Sequence, residues 1–431
     1  MSSSTASRPL KNVVVVGGSY VGQMVAEELL KTLNNEEHRV VVVDRNSHFG
    51  HLFTYPRFAV YPGHEHKAFL PFQPMLPAPH AIVQAEAVGL KLDGEGRRVL
   101  LEREVKLPGE EGRKGEIEFE ALVLATGTKL SKPGTLDPEK ADAVAYLQGV
   151  QAKLKDAKDI VIIGGGAVGV QMATDLAILY PPSTSNKTIT VVQSRRLMPR
   201  FHPKLHDLVA KRFEELGVKC VTGVRARVPE RGYEALNAAG GGEVELEDGR
   251  RIKADYVIHA LGQSPSSALL ASSLPSAIAP NRFVRVKPSL LVDPADETES
   301  QRVDARVWAV GDIADSGAPK AARPAMQQAE IVAKDVAKRL AGEPESSFAR
   351  QTYTPPPGAI RLSLGLSSSI GFTNPPSHTV RDEVTGEEEM VWEGEPEWEW
   401  MEGGTADMNI EAVWEKRLPG FINGDARRYF L

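Results

Sequence analysis

Cysteine is almost absent from this sequence, since Cys220 is the only cysteine among 431 residues. One cysteine can form neither a disulfide within the chain nor a Cys-x-x-Cys redox pair, so any redox chemistry has to come from a bound cofactor. Cys220 stands in the strand-like stretch LGVKCVTG. We predict a small core residue there and not a reactive thiol, because no neighbour in the sequence marks an activated cysteine.

Long apolar runs are missing as well. No stretch approaches the roughly 18 apolar residues that a membrane-spanning helix requires. The N-terminal MSSSTASRPLK lacks the apolar core of a signal peptide, and Ser2 stands where N-myristoylation needs glycine. The sequence therefore predicts a cytoplasmic protein without an integral membrane segment. Association with an organelle and peripheral contact with a membrane stay open.

Positive charge is not in excess. The chain carries 51 Lys and Arg against 57 Asp and Glu, for a formal net charge of −6 and a pI near 6.0. This balance argues against a general nucleic-acid partner. The length, together with 42% hydrophobic residues, predicts a globular protein of two or three domains.

Glycine-rich turns, in contrast, occur twice. Residues 160–171 read IVIIGGGAVGVQ and place Gly164, Gly166 and Gly169 in the pattern G-x-G-x-x-G. A predicted strand over 160–163 precedes the pattern, a helix reaching about Tyr180 follows it, and a strand over 188–192 closes the unit. The first glycine permits a tight turn, the second lets a pyrophosphate approach the backbone, and the third lets the helix pack on the strand.

Residues 13–24, VVVVGGSYVGQM, repeat this plan with one change. Predicted strands over 13–16 and 39–43 flank a helix from about Tyr20 to Leu33, but Ser19 replaces the second glycine. We interpret Ser19 as a tolerated variant, in which the loop adjusts or the hydroxyl donates a further hydrogen bond to phosphate. Two βαβ units in one chain predict two bound dinucleotides.

The residue that ends the second strand of each unit faces the adenosine ribose. Asp44 ends the first copy and suits the free 2′-hydroxyl of FAD or NAD. The second copy reads VVQSRR and places Gln193, Arg195 and Arg196 there. Arginine pairs with a 2′-phosphate whereas an acid repels it, so this copy favours NADPH over NADH. The alternative is that Arg195 and Arg196 lie in a solvated turn. Use of both NADPH and NADH also stays open.

Three further stretches fit an enzyme with two dinucleotides: ALVLATG (121–127), DYVIHALG (255–262) and VWAVGD (307–312). Together with both glycine loops, SHFGH (47–51) and APKAARPAMQQA (318–329), they resemble the two-dinucleotide-binding flavoprotein oxidoreductases. Within this group the sequence is most similar to apoptosis-inducing-factor-like proteins of the AMID and ferroptosis-suppressor type. The resemblance covers roughly residues 10–372.

The resemblance implies an α/β fold with two Rossmann-like domains in a glutathione-reductase-like arrangement. We expect an FAD domain formed by residues 1–130 and 275–345, an NAD(P)H domain at 150–272, and a C-terminal α+β domain at 350–431. Within the last of these, residues 381–402 hold ten acids and three tryptophans. Such a run is typical of a solvated excursion, while a hairpin or a partner surface is the alternative.

The resemblance also implies which residues hold the cofactors. The predicted FAD contacts are Gly17, Gly18, Ser19, Gly22, Asp44, Arg45, Arg57, Ala125, Thr126, Gly127, Gly311, Asp312 and Gln327. The predicted NAD(P)H contacts are Gly164, Gly166, Gly169, Gln193, Arg195, Arg196 and Gly262. Arg57 is expected beside the isoalloxazine ring, with a polar surface loop as the alternative. We assign no metal-binding residues.

Two positions are expected to act in catalysis. Lys320 matches a lysine that the family places close to the flavin and nicotinamide, but Gln171 stands where the family commonly has a glutamate. Either hydride transfer proceeds without that charge, or nicotinamide binding is retuned, or the site is degraded. Phe49, Phe53 and Tyr55 are interpreted as core residues, with stacking on a quinone as the alternative.

The expected function is transfer of a hydride from NAD(P)H to FAD, followed by transfer of electrons to a quinone-like acceptor. The sequence leaves two other functions open. One is a flavin-dependent oxidase or monooxygenase of a specialised biosynthetic pathway. The other is a redox-sensing or apoptosis-related binding protein with incidental turnover. The sequence does not indicate the oligomeric state.

Overall fold

The computed structural model describes residues 9–93, 96–344, 352–381 and 388–431. The N-terminal segment with Ser2, the predicted boundary at residue 350 and the middle of the acidic segment lie outside these ranges. The described chain divides into two compact units. The first takes the described parts of 1–50, 71–129 and 264–356, and the second those of 51–70, 130–263 and 357–431.

The helices in chain order are α1 (Tyr20–Thr32), α2 (Tyr55–Phe58), α3 (Lys140–Asp156), α4 (Ala167–Leu179), α5 (Pro203–Leu216), α6 (Gly232–Ala238), α7 (Glu297–Val303), α8 (Ala325–Leu340) and α9 (Ile410–Arg417). The strands are β1 (Lys11–Val16), β2 (His38–Asp44), β3 (His48–Gly50), β4 (Phe69–Pro71), β5 (Ala81–Gln84), β6 (Ala87–Asp93), β7 (Gly96–Val105), β8 (Lys114–Glu118), β9 (Ala121–Leu124), β10 (Thr128–Lys129), β11 (Asp159–Ile163), β12 (Thr188–Gln193), β13 (Lys219–Thr222), β14 (Gly242–Glu245), β15 (Arg251–Ala254), β16 (Tyr256–His259), β17 (Ser264–Pro265), β18 (Val307–Ala309), β19 (Ala359–Ser363), β20 (Ser369–Thr373), β21 (Ser377–Arg381), β22 (Glu388–Trp392) and β23 (Glu397–Met401).

The first unit is built on a parallel sheet with strand order β18-β9-β1-β2-β5. Successive valines of β1 point to opposite faces of this sheet. Val13 and Val15 pack into a core with α1 and α8, whereas Val14 and Val16 pack into a core with the antiparallel strands β6, β7 and β8. Because both faces are covered, β1 is an uninterrupted apolar run at its carboxyl end.

The second unit contains a parallel sheet with strand order β13-β12-β11-β16. The antiparallel pair β14–β15 covers part of it through a core that includes Val161, Val244 and Val257. The C-terminal part of the unit adds the antiparallel sheet β19-β20-β23 and the pair β21–β22. The two predicted βαβ units are therefore present, with bounds within two residues of those predicted.

Two predictions differ from the structure, and the predicted domain bounds stay a prediction. Cys220 is exposed, because β13 is the edge strand of its sheet and turns this side chain to solvent. Residues 51–70 and 357–431 belong to the second compact unit. The acidic segment is not simply a solvated loop: Trp398 and Trp400 alternate with glutamates in β23 and pair with Phe372 and Ile370 of β20.

Candidate functional site: two dinucleotide loops

The first glycine loop has no room for side chains at two of its positions. Gly17 has φ +106°, and a Cβ there would lie 2.3 Å from the carbonyl oxygen of Ala125, which follows β9. A Cβ at Gly22 would lie 1.7 Å from the carbonyl oxygen of Gly17. Only glycine permits this close packing of α1 against the turn, as a phosphate-binding loop requires.

The second loop repeats this geometry. Gly164 has φ +116°, and a Cβ there would lie 2.3 Å from the carbonyl oxygen of Ala260, which follows β16. A Cβ at Gly169 would lie 1.9 Å from the carbonyl oxygen of Gly164. The two loops therefore share one backbone architecture, each inside its own unit.

Ser19 fits this architecture without strain. It is the N-cap of α1 with φ −78° and ψ −162°, and the equivalent Gly166 of α4 has φ −83° and ψ −174°. Both are extended conformations that any residue adopts. The serine at the second position of the pattern therefore leaves the turn unchanged.

A side chain from the second strand pins each loop. The backbone N–H of Gly18 donates to Oδ2 of Asp44 at 2.5 Å, and the N–H of Gly165 donates to Oε1 of Gln193 at 2.8 Å. Asp44 is buried and also accepts from the N–H of Asn46 at 2.7 Å. Burial raises the pKa of Asp44, while these two N–H groups act in the opposite direction. The same hydrogen bond is thus made by a carboxylate in one unit and by a neutral amide in the other.

The helix starts are suited to phosphate groups. Helices α1, α4 and α8 begin after Ser19, Gly166 and Pro324, and none of these three described N-caps makes a side-chain hydrogen bond to its helix. Their first turns also contain no acidic residue. Initial N–H groups and the positive end of the helix dipole favour an anion at such positions. The residues present therefore fit a dinucleotide at each glycine loop.

The carboxyl ends of β9 and β18 complete the first site. Ala125 is buried after β9, Gly127 has φ +60°, and the hydroxyl of Thr126 donates to the carbonyl of Ser266 at 2.9 Å. Gly311 follows β18 with φ +72° and opens a short 3-10 turn that contains Asp312. The turn lies against α1, because a Cβ at Gly311 would lie 3.0 Å from Cγ2 of Val21.

Gln328 holds this turn, and the sequence analysis missed it. Its Oε1 accepts from the N–H of Gly311 at 2.7 Å, and its side chain is 1% exposed. The predicted contact, Gln327, is exposed on α8. One residue along a helix turns a side chain by about 100°, so neighbouring glutamines face different surroundings. The two adjacent glutamines look alike in the sequence, and the burial of α8 in the structure separates them.

The predicted contacts of the second site lie near the end of β12 and after β16. Gln193 is buried, whereas Arg195 and Gly262 are exposed. The guanidinium of Arg196 donates to the carbonyl oxygens of Pro199 and Phe201, at 3.4 and 3.0 Å. Arg195 is therefore the better placed of the two arginines to meet a ligand.

Arg57 lies in the interior of its unit. It belongs to the second unit, is 1% exposed, and its Nε donates to Oδ2 of Asp175 at 2.6 Å. Its remaining donors bond to Ser363 Oγ and to the carbonyls of Gly365, Leu366 and Ala406. These contacts use all of its N–H groups, so Arg57 has a structural role, and its contact with a flavin stays a prediction.

The two predicted catalytic residues lie in different units. In the first, Lys320 Nζ donates to the carbonyl of Ala314 at 2.7 Å and lies 4.0 Å from the ring centroid of Phe283. In the second, Gln171 is 9% exposed and its Nε2 lies 3.8 Å from Sδ of Met408. Their described contacts are with protein, and their catalytic roles stay predictions.

Of the three aromatic residues interpreted as core residues, Phe49 and Tyr55 are buried and Phe53 is not. Phe49 is 0% exposed and Tyr55 is 4% exposed, and both pack on other aromatic rings. Phe53 is 54% exposed. Arg45, predicted to contact FAD, is half-buried after β2.

The model of the pyridine nucleotide-disulphide oxidoreductase family matches residues 11–329, which include both glycine loops. The chain belongs to this family. It is 32% identical to Fe-regulated protein 8 of Mycosarcoma maydis over 430 residues, covering 96% of each chain. It is 26% identical to ferroptosis suppressor protein 1 of Xenopus tropicalis, covering 87% of this chain and 91% of that protein.

Among solved structures, the oxidoreductase matches the sulfide:quinone oxidoreductase of Aquifex aeolicus with a TM-score of 0.66 at 17% identity. The match covers 97% of this chain and 92% of that chain. The predicted resemblance to apoptosis-inducing-factor-like flavoproteins and the α/β fold with two Rossmann-like domains are therefore confirmed. None of the helices described in the structure is long and apolar enough to cross a membrane.

Proposed function

We propose that this oxidoreductase binds FAD at the loop of Gly17 and NADPH at the loop of Gly164, and that it reduces a quinone-like acceptor. One observation carries the proposal: two complete dinucleotide loops occur in one chain, pinned by Asp44 in one case and by Gln193 in the other. The Gly17 and Gly164 loops would hold the two dinucleotides, and FAD, when bound, would supply the chemistry for accepting a hydride from the nicotinamide nucleotide and passing two electrons to the acceptor.

The chain's own residues bind and orient the two dinucleotides. Asp44 places carboxyl oxygens at the first loop, where they suit the free ribose hydroxyls of FAD. Gln193 makes the matching hydrogen bond without a charge, so it does not repel a 2′-phosphate. The exposed guanidinium of Arg195 follows two residues later and offers that phosphate a charge-assisted hydrogen bond. This difference between the loops supports NADPH as the preferred donor, with NADH as the alternative.

The acceptor is inferred from chemistry and family. A single cysteine, exposed on β13, supplies no dithiol for the disulfide exchange that gives the family its name. Electrons must therefore leave for an acceptor outside the protein's own side chains. The resemblance to ferroptosis-suppressor-type proteins makes a quinone our choice.

The test is the visible spectrum of the purified protein during anaerobic addition of NADPH or NADH. We expect a flavin spectrum that NADPH bleaches faster than NADH and that a short-chain quinone restores. Gly169→Ala is the matched control, because it disrupts the second loop and should keep the flavin while losing the bleaching. A flavin that quinone leaves bleached and that air rapidly restores would favour the oxidase or monooxygenase. Bound flavin that neither nucleotide bleaches would favour the redox-sensing binding protein.

A further inference from the structure

We propose that Gln328 is a positioning residue for the flavin, acting through the Gly311–Ile313 turn; this inference rests on the proposed FAD site. Gln328 lies in the first turn of α8 and is 1% exposed. Its Oε1 accepts from the N–H of Gly311 at 2.7 Å, and its Nε2 donates to Oγ of Ser316 at 3.2 Å. One buried amide therefore bridges both ends of the segment that contains Asp312.

The bridged segment has a conformation that needs such support. Gly311 has φ +72°, and the space beside its Cα is filled by Val21 in the first turn of α1. On the other side, the N–H of Val284 donates to the carbonyl of Ile313 at 2.9 Å, and the N–H of Asp315 donates to the carbonyl of Val284 at 2.8 Å. Gln328 adds hydrogen bonds from α8 to the described part of this segment.

The bridge links the elements that the FAD proposal assigns to one ligand. Asp312 stands directly after Gly311, α1 carries the pyrophosphate loop, and α8 begins three residues before Gln328. A hydrogen bond between α8 and Gly311 fixes the distance between the start of α8 and Asp312. Without it, a buried N–H loses its acceptor and the turn is free to move away from α8.

The experiment compares variants of α8 by FAD affinity, measured from quenching of flavin fluorescence on addition of apoprotein, and by visible circular dichroism of the bound flavin. Gln328→Met removes both hydrogen bonds at similar side-chain volume. We expect FAD binding to weaken about tenfold, which is the typical cost of losing one hydrogen bond, here the one to Gly311. We also expect an altered dichroism spectrum. In Gln328→Glu the carboxyl group can still accept from the N–H of Gly311 but adds a buried charge, so FAD affinity should lie between those of Gln328→Met and the wild type.

Asp335→Asn separates positioning from stability. Asp335 is also buried on α8 and accepts from Nε1 of Trp308 at 2.9 Å, so this variant perturbs the same helix. We expect it to lower the urea midpoint of unfolding and to leave FAD affinity and dichroism unchanged. If Gln328→Met lowers stability as Asp335→Asn does but leaves the dichroism and FAD affinity of the wild type, the inference is overturned. The inference would also be overturned if Gln327→Met bound FAD more weakly than the wild type while Gln328→Met bound it as tightly as the wild type.

The wild-type chain separates this inference from the function on which it rests. If the wild type binds no FAD, the proposed function fails and the inference fails with it. If the wild type binds FAD and Gln328→Met binds it equally tightly, only the inference fails.

Discussion

Arg57→Met removes a guanidinium that donates to Asp175, to Ser363 and to three backbone carbonyls inside the second unit. The side chains of Arg57 and Asp175 are 1% and 0% exposed. Removing one partner of a buried ion pair typically costs 3–5 kcal/mol, because the other charge stays buried without compensation. Since the three carbonyls also lose their donor, we expect the upper part of this range at pH 8, about 5 kcal/mol.

The loss should depend on pH in a defined direction. Burial raises the pKa of Asp175 to about 6, and the charge and hydrogen bond of Arg57 are what lower it. Without Arg57 the folded-state pKa rises further, while the unfolded value stays near 4. The folded state of Arg57→Met therefore takes up a proton that the unfolded state does not hold. Its stability should recover as the pH falls from the folded pKa towards 4.

The assay is urea unfolding followed by far-UV circular dichroism at pH 8 and pH 5. Arg227→Met is the matched control, because Arg227 pairs with Glu245 at 2.9 Å in the same unit but both side chains are about half exposed. Loss of that pair should cost less than about 1 kcal/mol at either pH. The double variant Arg57→Met/Asp175→Asn should recover part of the loss at pH 8. A loss in Arg57→Met no larger than in the control, or equal at both pH values, would refute the reasoning.

Two further predictions concern the loops. Gly22→Ala places a Cβ where the carbonyl of Gly17 lies 1.7 Å away, so FAD binding should be lost while NADPH binding persists. Flavin fluorescence and NADPH titration check this, and equal loss of both ligands would contradict separate sites. Gln193→Glu keeps an acceptor for the N–H of Gly165 but adds a charge, so the affinity ratio of NADPH to NADH should fall at least tenfold. An unchanged ratio would show that Gln193 does not face the 2′-phosphate.

Sequence patterns predicted the local units well. Each βαβ unit depends on residues close in sequence: a valine or isoleucine run, glycines at set spacing, and a helix that starts directly after the turn. The structure shows why these glycines are needed, since a Cβ at Gly22 or Gly169 would overlap a carbonyl a few residues away. The sequence also predicted the difference between Asp44 and Gln193, because the glycine pattern locates the second strand of each unit and these residues end those strands.

Contacts between distant segments were not predictable in this way. SHFGHLFTYPR looked like a polar loop beside a cofactor, but Arg57 is buried against residues more than 100 positions away. Cys220 has strand-like neighbours, and only the strand order reveals that β13 is an edge. Gln327 and Gln328 are the same residue type in adjacent positions, and the choice between them depends on which face of α8 packs on Gly311.

The amino-acid sequence by itself determined the two dinucleotide-binding units, the family, and a carboxylate in one loop against a neutral amide in the other. These properties follow from short-range sterics and from charges at known positions on a strand or turn. Only the tertiary structure decided that Arg57 is a buried ion-pair partner, that the acidic tryptophan segment contributes strands, and that Gln328 holds the Gly311 turn. Each of these depends on burial and on hydrogen bonds between segments whose proximity arises only when the sheets and helices pack.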